Sequence, residues 1–171
     1  MEARKPTFDL VVTNPDIVTG PMIHPVSDWS SVNSTNIIFV GSFVGGTPVA
    51  GRGPKTWRLY HFADVRDVAR AHVEALTNPA AASRRILLVG GLITPQLVRN
   101  AIRERLPELR ERVAEGTPSQ VLPPGLHPNG FDLSASLDIL DKGAKGGKWE
   151  FRDLETTVGD TVRSMIEHGL V

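Results

Sequence analysis

The chain has 171 residues, which suits one ordinary domain or two small ones. Lysine plus arginine and aspartate plus glutamate number 19 each, so the zero formal charge gives no support for a nucleic-acid partner. The absence of cysteine excludes disulfide frameworks, thiolate metal sites and cysteine nucleophiles. No apolar run approaches the ~20 residues that span a bilayer, and the first nine residues do not resemble a signal peptide. We therefore expect a cytoplasmic protein without nucleic-acid or membrane partners.

The first predicted element is a buried strand that opens into a loop. Residues 8–14 form a nearly continuous apolar run, typical of a parallel strand covered on both faces. The run stops at Asn14-Pro15, and residues 15–33, rich in Pro, Asp and Ser, predict a long loop. A loop at the carboxyl end of such a strand often holds a ligand.

The segment that follows is ambiguous. Asn33 or Ser34 is placed to cap a helix over residues 35–44, although residues 37–40 fit a strand equally well. The glycine- and proline-rich residues 45–56 predict a loop, and residues 57–62 predict a short strand.

Residues 63–76 predict the clearest helix of the chain. Asp64 is expected to be its N-cap, and Asn78-Pro79 is expected to end it. We expect His72, on the apolar side, to be a hydrogen-bonded packing residue. The side chains that recur at helical spacing on that side are Val65, Val68, Ala69, His72, Val73 and Leu76.

A second strand and helix follow. Residues 84–91 predict another buried strand, ending in glycines. Thr94 is expected to cap a helix that has Pro95 in its first position, where the missing N–H costs nothing. The alternation of strands and helices indicates the α/β class. Because two parallel strands do not make an independently stable sheet, the chain resembles part of a larger fold.

The carboxyl-terminal third predicts a loop and two helices. Residues 107–130 are polar and rich in Pro and Gly, and residues 133–143 predict a short helix that stops near Gly143. Asp153 is expected to cap a last amphipathic helix, which Gly169 ends.

The sequence lacks the motifs of several catalytic classes. The sequence "GTPVAGRGPKT" has the glycine spacing of a P-loop, but no lysine directly follows the second glycine. The five histidines show no metal-ligand spacing, so we expect no metal site. No GxSxG nucleophile elbow occurs, which makes a hydrolase built from dispersed Ser, His and Asp the least supported alternative.

Four segments together carry a family resemblance: "TNPDIVTGP" (13–21), "HFADVRDVARAHVEAL" (61–76), "RRILLVGG" (84–91) and "KWEFRDLETTVGDTVRSMIEHG" (148–169). In this order they resemble the carboxyl-terminal half of an extended short-chain dehydrogenase/reductase. Dihydroflavonol-4-reductase-like enzymes and fungal aldehyde/ketone reductases are the most similar members, and the second segment is the most specific. The resemblance implies an incomplete Rossmann-type fold, namely the last strands of the parallel sheet plus a smaller substrate-binding lobe.

The same resemblance divides the chain into two groups of residues. Residues 1–21 and 61–106 would be the remnant of the nucleotide-binding sheet and its helices. Residues 22–60 and 107–171 would form mainly the substrate-binding lobe. The segment "DVRDVA" would tie the two groups together.

The resemblance also implies a cofactor site for NADP or NAD. Pro15 and Val18 would line the nicotinamide site, and Thr35 would touch the cofactor from the start of its helix. Residues 22–33 and 116–131 would line the cleft for a small carbonyl substrate.

The chain departs from the family at the residues that perform catalysis. It contains no GxxGxxG phosphate-binding motif, and the Tyr-x-x-x-Lys pair expected shortly before Phe8 is absent. Its one tyrosine, Tyr60, is followed four positions later by Asp64. We therefore predict no catalytic residue in this chain, no tight cofactor binding and no activity of the chain alone.

The sequence supports one further interpretation, a non-catalytic interaction protein. The apolar strand around residues 10–12 would then pair with a second copy or with a full-length reductase, giving an oligomer. The carbonyl substrate and the choice between NADP and NAD stay open at this stage.

Overall fold

The computed structural model of the protein describes residues 7–46, 59–143 and 147–171. Only residues 45 and 46 of the predicted loop 45–56 lie within these ranges. The first two residues of the predicted strand 57–62 also lie outside them. The strands are β1 (Val12–Pro15), β2 (Ile17–Thr19), β3 (Tyr60–Asp64), β4 (Arg85–Leu88) and β5 (Gly91–Ile93). The helices are α1 (Ser34–Phe39), α2 (Val65–Thr77), α3 (Pro95–Arg105), α4 (Ser134–Gly143) and α5 (Leu154–Glu167).

The strands form two small sheets. β1 and β4 pair in parallel, with Val12 opposite Arg85 and Pro15 opposite Leu88. In the second sheet β3 lies in the middle, parallel to β2 and antiparallel to β5. The predicted α/β class with parallel strands is confirmed.

The strand boundaries differ from the prediction. Residues 8–14 were expected to be buried, but pairing starts only at Val12, and Phe8 and Leu10 are 71% and 65% exposed. The burial prediction is wrong there because no described element covers that side of the segment. The predicted loop 15–33 contains β2. The predicted strand 84–91 is paired only over β4, and a separate strand, β5, begins at its last residue.

The helix caps follow the prediction closely. Asp64 accepts a hydrogen bond from the backbone N–H of Arg66 at the start of α2, and Thr94 caps α3, with Pro95 in its first position. Asp153 accepts the N–H of Thr156 at the start of α5. Gly169 follows α5 at φ +70°, a conformation that glycine adopts without strain.

The ambiguous segment is a helix, shorter than predicted. α1 ends at Phe39, and residues 41–43 form a 3₁₀ turn instead of continuing it to residue 44. Asn33 occupies the N-cap position, but its side chain donates to the Thr35 hydroxyl oxygen (2.7 Å) instead of capping the helix. The alternative of a strand over residues 37–40 is wrong.

Two hydrophobic clusters hold the described part of the chain together. The larger cluster joins α1, α3 and α5 with β3 and β5; its fully buried members include Val40, Ile93, Val98, Ile102, Val158, Val162 and Met165. The smaller cluster lies where α2, β4 and α4 meet and includes Ile86, Leu88, Leu140 and Trp149. No described helix is both long enough and apolar enough to span a bilayer.

The predicted apolar side of α2 is only partly covered. Val73 and Leu76 are 64% and 85% exposed, and the buried residues of the helix are Asp67 and Ala71. His72 is exposed, so its predicted packing role is wrong. Its predicted hydrogen bonding is confirmed, because its ring nitrogens lie 2.9 Å from Thr13 Oγ1 and 2.7 Å from the Val68 carbonyl oxygen.

Candidate functional site

A buried amide fixes the turn that follows β2. The Asn36 side chain is 2% exposed and lies in α1, facing Thr19 and Gly20. Its Oδ1 accepts from the Thr19 hydroxyl (2.7 Å) and the Gly20 N–H (3.2 Å), and its Nδ2 donates to the Gly20 carbonyl (2.8 Å). We call this set of contacts the Asn36 bridge. It gives three buried polar groups their partners and joins α1 to the turn.

The turn also packs tightly against the start of α2. Gly20 has φ +151°, and a Cβ built there would lie 2.6 Å from Cγ1 of Val65. Only glycine combines that backbone angle with so close an approach. The turn, α1 and α2 are therefore held in one fixed arrangement.

A cavity of 270 Å³ lies beside this turn. Its wall includes Val18, Thr19, Gly20, Asn33, Asn36 and Val65. Of the three predicted cofactor residues, Val18 lines this cavity. Thr35, in the first turn of α1, does not line it, although Asn33 and Asn36 on either side of it in the sequence do. Pro15 lies half-buried at the end of β1 and does not line the cavity.

The residues present fit only one end of a dinucleotide. The cavity is slightly below the ~300–1,000 Å³ typical of pockets for whole drug-sized ligands. Its lining side chains include His24 but neither lysine nor arginine, so a diphosphate there would have no strong cationic partner. The cavity has room for a single ring and offers no cationic partner for the diphosphate of such a cofactor.

A buried ionic network joins β3 and α2 to α5. Asp64, whose side chain is fully buried, binds the Arg66 guanidinium (2.7 and 2.9 Å) and accepts the Thr157 hydroxyl (2.8 Å). Arg66 also binds Asp160 at 2.7 Å. Burial by itself raises the pKa of Asp64, but the hydrogen bonds from Arg66 and Thr157 outweigh it and lower this pKa below 3.8. The hydrogen bonds and charges of Asp64 and Asp160 raise the pKa of Arg66.

Asp67 makes a second connection of the same kind. It is fully buried and accepts hydrogen bonds from the backbone N–H of Arg152 (2.8 Å) and from its guanidinium. Arg70, one turn along α2, stacks over the Trp149 ring at 4.0 Å. The segment "DVRDVA" thus connects β3 and α2 to residues 152–160 near the carboxyl end of the chain. The distant partners Arg152, Thr157 and Asp160 were missed because no local spacing marks them.

A third group of side chains lies at the carboxyl end of β1. Asp16 follows β1 directly, and its Oδ2 accepts the backbone N–H of His61 (3.3 Å) and lies 3.7 Å from the His61 ring nitrogen. The Phe131 ring meets the His61 ring edge-on at 4.6 Å. Phe131 therefore brings the end of the predicted substrate segment 116–131 to this point. No group of three or more metal-binding side chains occurs within the described ranges, and no metal site is proposed.

Known proteins match the chain along nearly its whole length. No family model matches it. The ketoreductase azaE of Aspergillus niger is 38% identical over 172 residues, which is 98% of this chain and 46% of that protein. The NADPH-dependent methylglyoxal reductase GRE2 of Saccharomyces cerevisiae is 29% identical over 160 residues, covering 94% and 44%. The crystal structure of Gre2 from Candida albicans superposes with a TM-score of 0.70 at 24% identity, covering 98% and 47%.

Together with the parallel strand pairs and the capped helices, these matches show that the chain has the α/β fold of the Rossmann-type reductases. The chain belongs to the extended short-chain dehydrogenase/reductases and corresponds to the carboxyl-terminal half of such an enzyme. It spans less than half the length of the curated relatives that it matches.

Proposed function

We propose that the chain supplies the nicotinamide-facing wall and the substrate-binding part of an NADPH-dependent carbonyl reductase. The observation that carries this proposal is the Asn36 bridge, which shapes a ring-sized cavity beside Val18. The names of the relatives support NADPH as cofactor and a small ketone or aldehyde as substrate.

The proposal gives individual roles to three residues. Val18 contacts the nicotinamide ring, Pro15 lines the approach from β1, and Thr35 reaches the cofactor from the first turn of α1. Residues 1–21 and 61–106 belong to the nucleotide-binding part, and residues 22–60 and 107–171 mainly to the substrate part. Cytoplasmic location, which the cysteine-free composition favours, is part of the same proposal.

By itself the chain is expected to be inactive. In this family the nicotinamide supplies the hydride and a tyrosine supplies the proton. The 171 residues hold neither GxxGxxG nor Tyr-x-x-x-Lys, and Tyr60 has Asp64 in the position of the lysine. The cofactor's diphosphate and the reacting carbonyl therefore lack partners in this chain.

A covalent fusion tests the proposed function. The part of the Aspergillus niger relative that precedes its matched segment is joined to this chain, and NADPH oxidation with ketone substrates is followed. We expect turnover, and loss of turnover when the tyrosine of the relative's Tyr-x-x-x-Lys is changed to phenylalanine. A folded fusion that reduces no carbonyl compound would contradict the proposal.

The exposed strand supports a second candidate, a non-catalytic protein that associates with itself or with a full-length reductase. Phe8, Leu10 and Val12 are 71%, 65% and 37% exposed, and only β4 pairs with β1 in the described ranges. Light scattering of the isolated chain distinguishes the two, because self-association gives a dimer or larger oligomer and a compact monomer contradicts it.

A further inference from the structure

An asparagine–glycine pair lies in the exposed segment that precedes α4. Asn129 and Gly130 are both exposed, and residues 127–132 form no helix, strand or turn. Within the described ranges, neither the Asn129 side chain nor the Gly130 backbone N–H has a hydrogen-bond partner. The side-chain amide carbon of Asn129 and the backbone nitrogen that follows it are therefore unrestrained by other groups.

The other asparagines of the chain lack this combination. Asn14 and Asn78 precede prolines, whose nitrogen carries no hydrogen. Asn36 is buried in the Asn36 bridge, and Asn100 lies in α3 with its side chain hydrogen-bonded. Asn33 precedes a serine and donates a hydrogen bond within its own turn. Asn129 is thus the one asparagine of the sequence that a glycine follows.

We propose that Asn129 is a site of spontaneous deamidation through the backbone nitrogen of Gly130. That nitrogen, on losing its proton to water, attacks Cγ of Asn129 and closes a five-membered succinimide ring. The Cγ–Nδ2 bond breaks, and the amide takes up a proton and leaves as ammonia. Water then opens the ring at one of its two carbonyls, which gives aspartate or isoaspartate at this position. Water is the co-reactant, and no group is oxidised or reduced.

The glycine at position 130 favours closure of the ring. In any other residue a Cβ beside the attacking nitrogen hinders its approach, whereas glycine has no Cβ and its backbone adopts more conformations. A Cβ built on Gly130 would meet no heavy atom within 4 Å beyond its chain neighbours. The surroundings therefore leave room for the change of backbone geometry that ring closure requires.

The modification changes the chain two residues before an aromatic contact. The Phe131 ring meets the His61 ring edge-on at 4.6 Å, and a His61 ring nitrogen lies 3.7 Å from Asp16. Both products add one negative charge, and isoaspartate also lengthens the main chain by one carbon. We therefore expect the isoaspartate form to move the Phe131 ring away from His61. An effect on substrate binding through segment 116–131 rests on the proposed function, but the modification itself does not.

Peptide mapping of the purified chain tests the site. Trypsin cleavage after Arg112 and Lys142 releases a peptide, residues 113–142, in which Asn129 is the one asparagine. After incubation of the folded chain in mildly alkaline buffer, this peptide should gain the mass that separates an acid from an amide and elute as two products. The reaction should be at least about tenfold faster there than at any other asparagine, because the glycine nitrogen is unhindered.

Two variants isolate the chemistry from any general instability of the chain. Gly130→Ala keeps the asparagine but adds a Cβ beside the attacking nitrogen, and it should slow the reaction at least about tenfold. Because that Cβ has open space and Gly130 is not among the glycines with positive φ, the melting temperature should not change. Asn129→Gln places the amide carbon one bond further from the nitrogen and should form no product on the same time scale.

The expected movement of Phe131 has a separate readout. The NMR signals of the His61 ring report the neighbouring aromatic ring, and the Phe131→Ala variant defines their position without it. The isoaspartate form should move these signals toward those of Phe131→Ala. Freshly purified Asn129→Asp adds the charge without the extra carbon, so its signals should stay near those of the unmodified protein.

The possible outcomes decide each part of the inference. The deamidation site is refuted if peptide 113–142 stays unmodified under conditions that convert a short synthetic peptide of residues 127–132. Equal rates in the Gly130→Ala variant and the unchanged chain would also refute it. His61 signals that do not move in the isoaspartate form would refute the effect on Phe131. Neither readout uses NADPH or a carbonyl compound, so both are independent of the activity of the fusion.

Discussion

At the scale of single residues, Asn36 carries more structural consequence than any predicted site residue. Thr19 and Asn36 are 1% and 2% exposed, so the polar groups of the Asn36 bridge have no access to bulk water. Their hydrogen bonds therefore decide whether the turn keeps its shape.

Replacing Asn36 with leucine tests the bridge. Leucine has the same number and branching of side-chain heavy atoms as asparagine, but it leaves the Thr19 hydroxyl and both Gly20 backbone groups without their partner. We expect the free energy of unfolding in urea to fall by about 3 kcal/mol. Asn33→Ala is the control, because the exposed side chain of Asn33 bonds to Thr35 and to no other described residue, and its effect should stay within about 0.5 kcal/mol. Similar effects of the two changes would refute the role of the bridge.

At the scale of elements, charged side chains at the junction of β3 and α2 depend on hydrogen bonds and an ion pair with side chains of α5. Asp64 caps α2 and at the same time binds Arg66 and Thr157, so one carboxylate connects three elements. Because it is buried, removal of its charge leaves the Arg66 guanidinium without one of its two carboxylate partners. The junction is therefore sensitive to one substitution and to pH.

We expect Asp64→Asn to lower the free energy of unfolding by about 3 kcal/mol at neutral pH. The pKa of Asp64 is lower in the folded chain than its usual value of 3.8, so its contribution is complete above that pH and is lost as the pH falls below it. Urea unfolding of both proteins at several pH values should therefore show the difference shrinking below about pH 4. Asp138→Asn, in an exposed pair with Lys142, serves as control and should change stability by under about 1 kcal/mol.

Local signals predicted the helices well and the strands poorly. Asp64, Thr94 and Asp153 were identified as caps because a cap is a contact within a few residues. The burial of Phe8 and Leu10 was predicted wrongly because burial depends on distant elements beside the strand, not on the strand's own apolar pattern. The Asn36 bridge and the Asp67–Arg152 contact, across 16 and 85 positions, have no local sequence signal.

At the scale of the whole molecule, the chain is a folded half with an open side. Within the described ranges two clusters pack its interior, yet β1 has one partner strand and α2 leaves Leu76 exposed. The family could be predicted from four sequence segments in order, since each preserves a local structural requirement. The groove of 490 Å³ between the start of β1 and α2 has no local sequence signal, because its lining residues come from elements far apart in the chain.

The central claim is that this chain forms one wall of a reductase site and lacks the groups that perform the chemistry. The most direct test is the rate of NADPH-dependent ketone reduction by the isolated 171-residue chain. We predict no rate above the protein-free blank. Turnover by the isolated chain on the order of 10 s⁻¹, an ordinary enzymatic rate, would contradict the account.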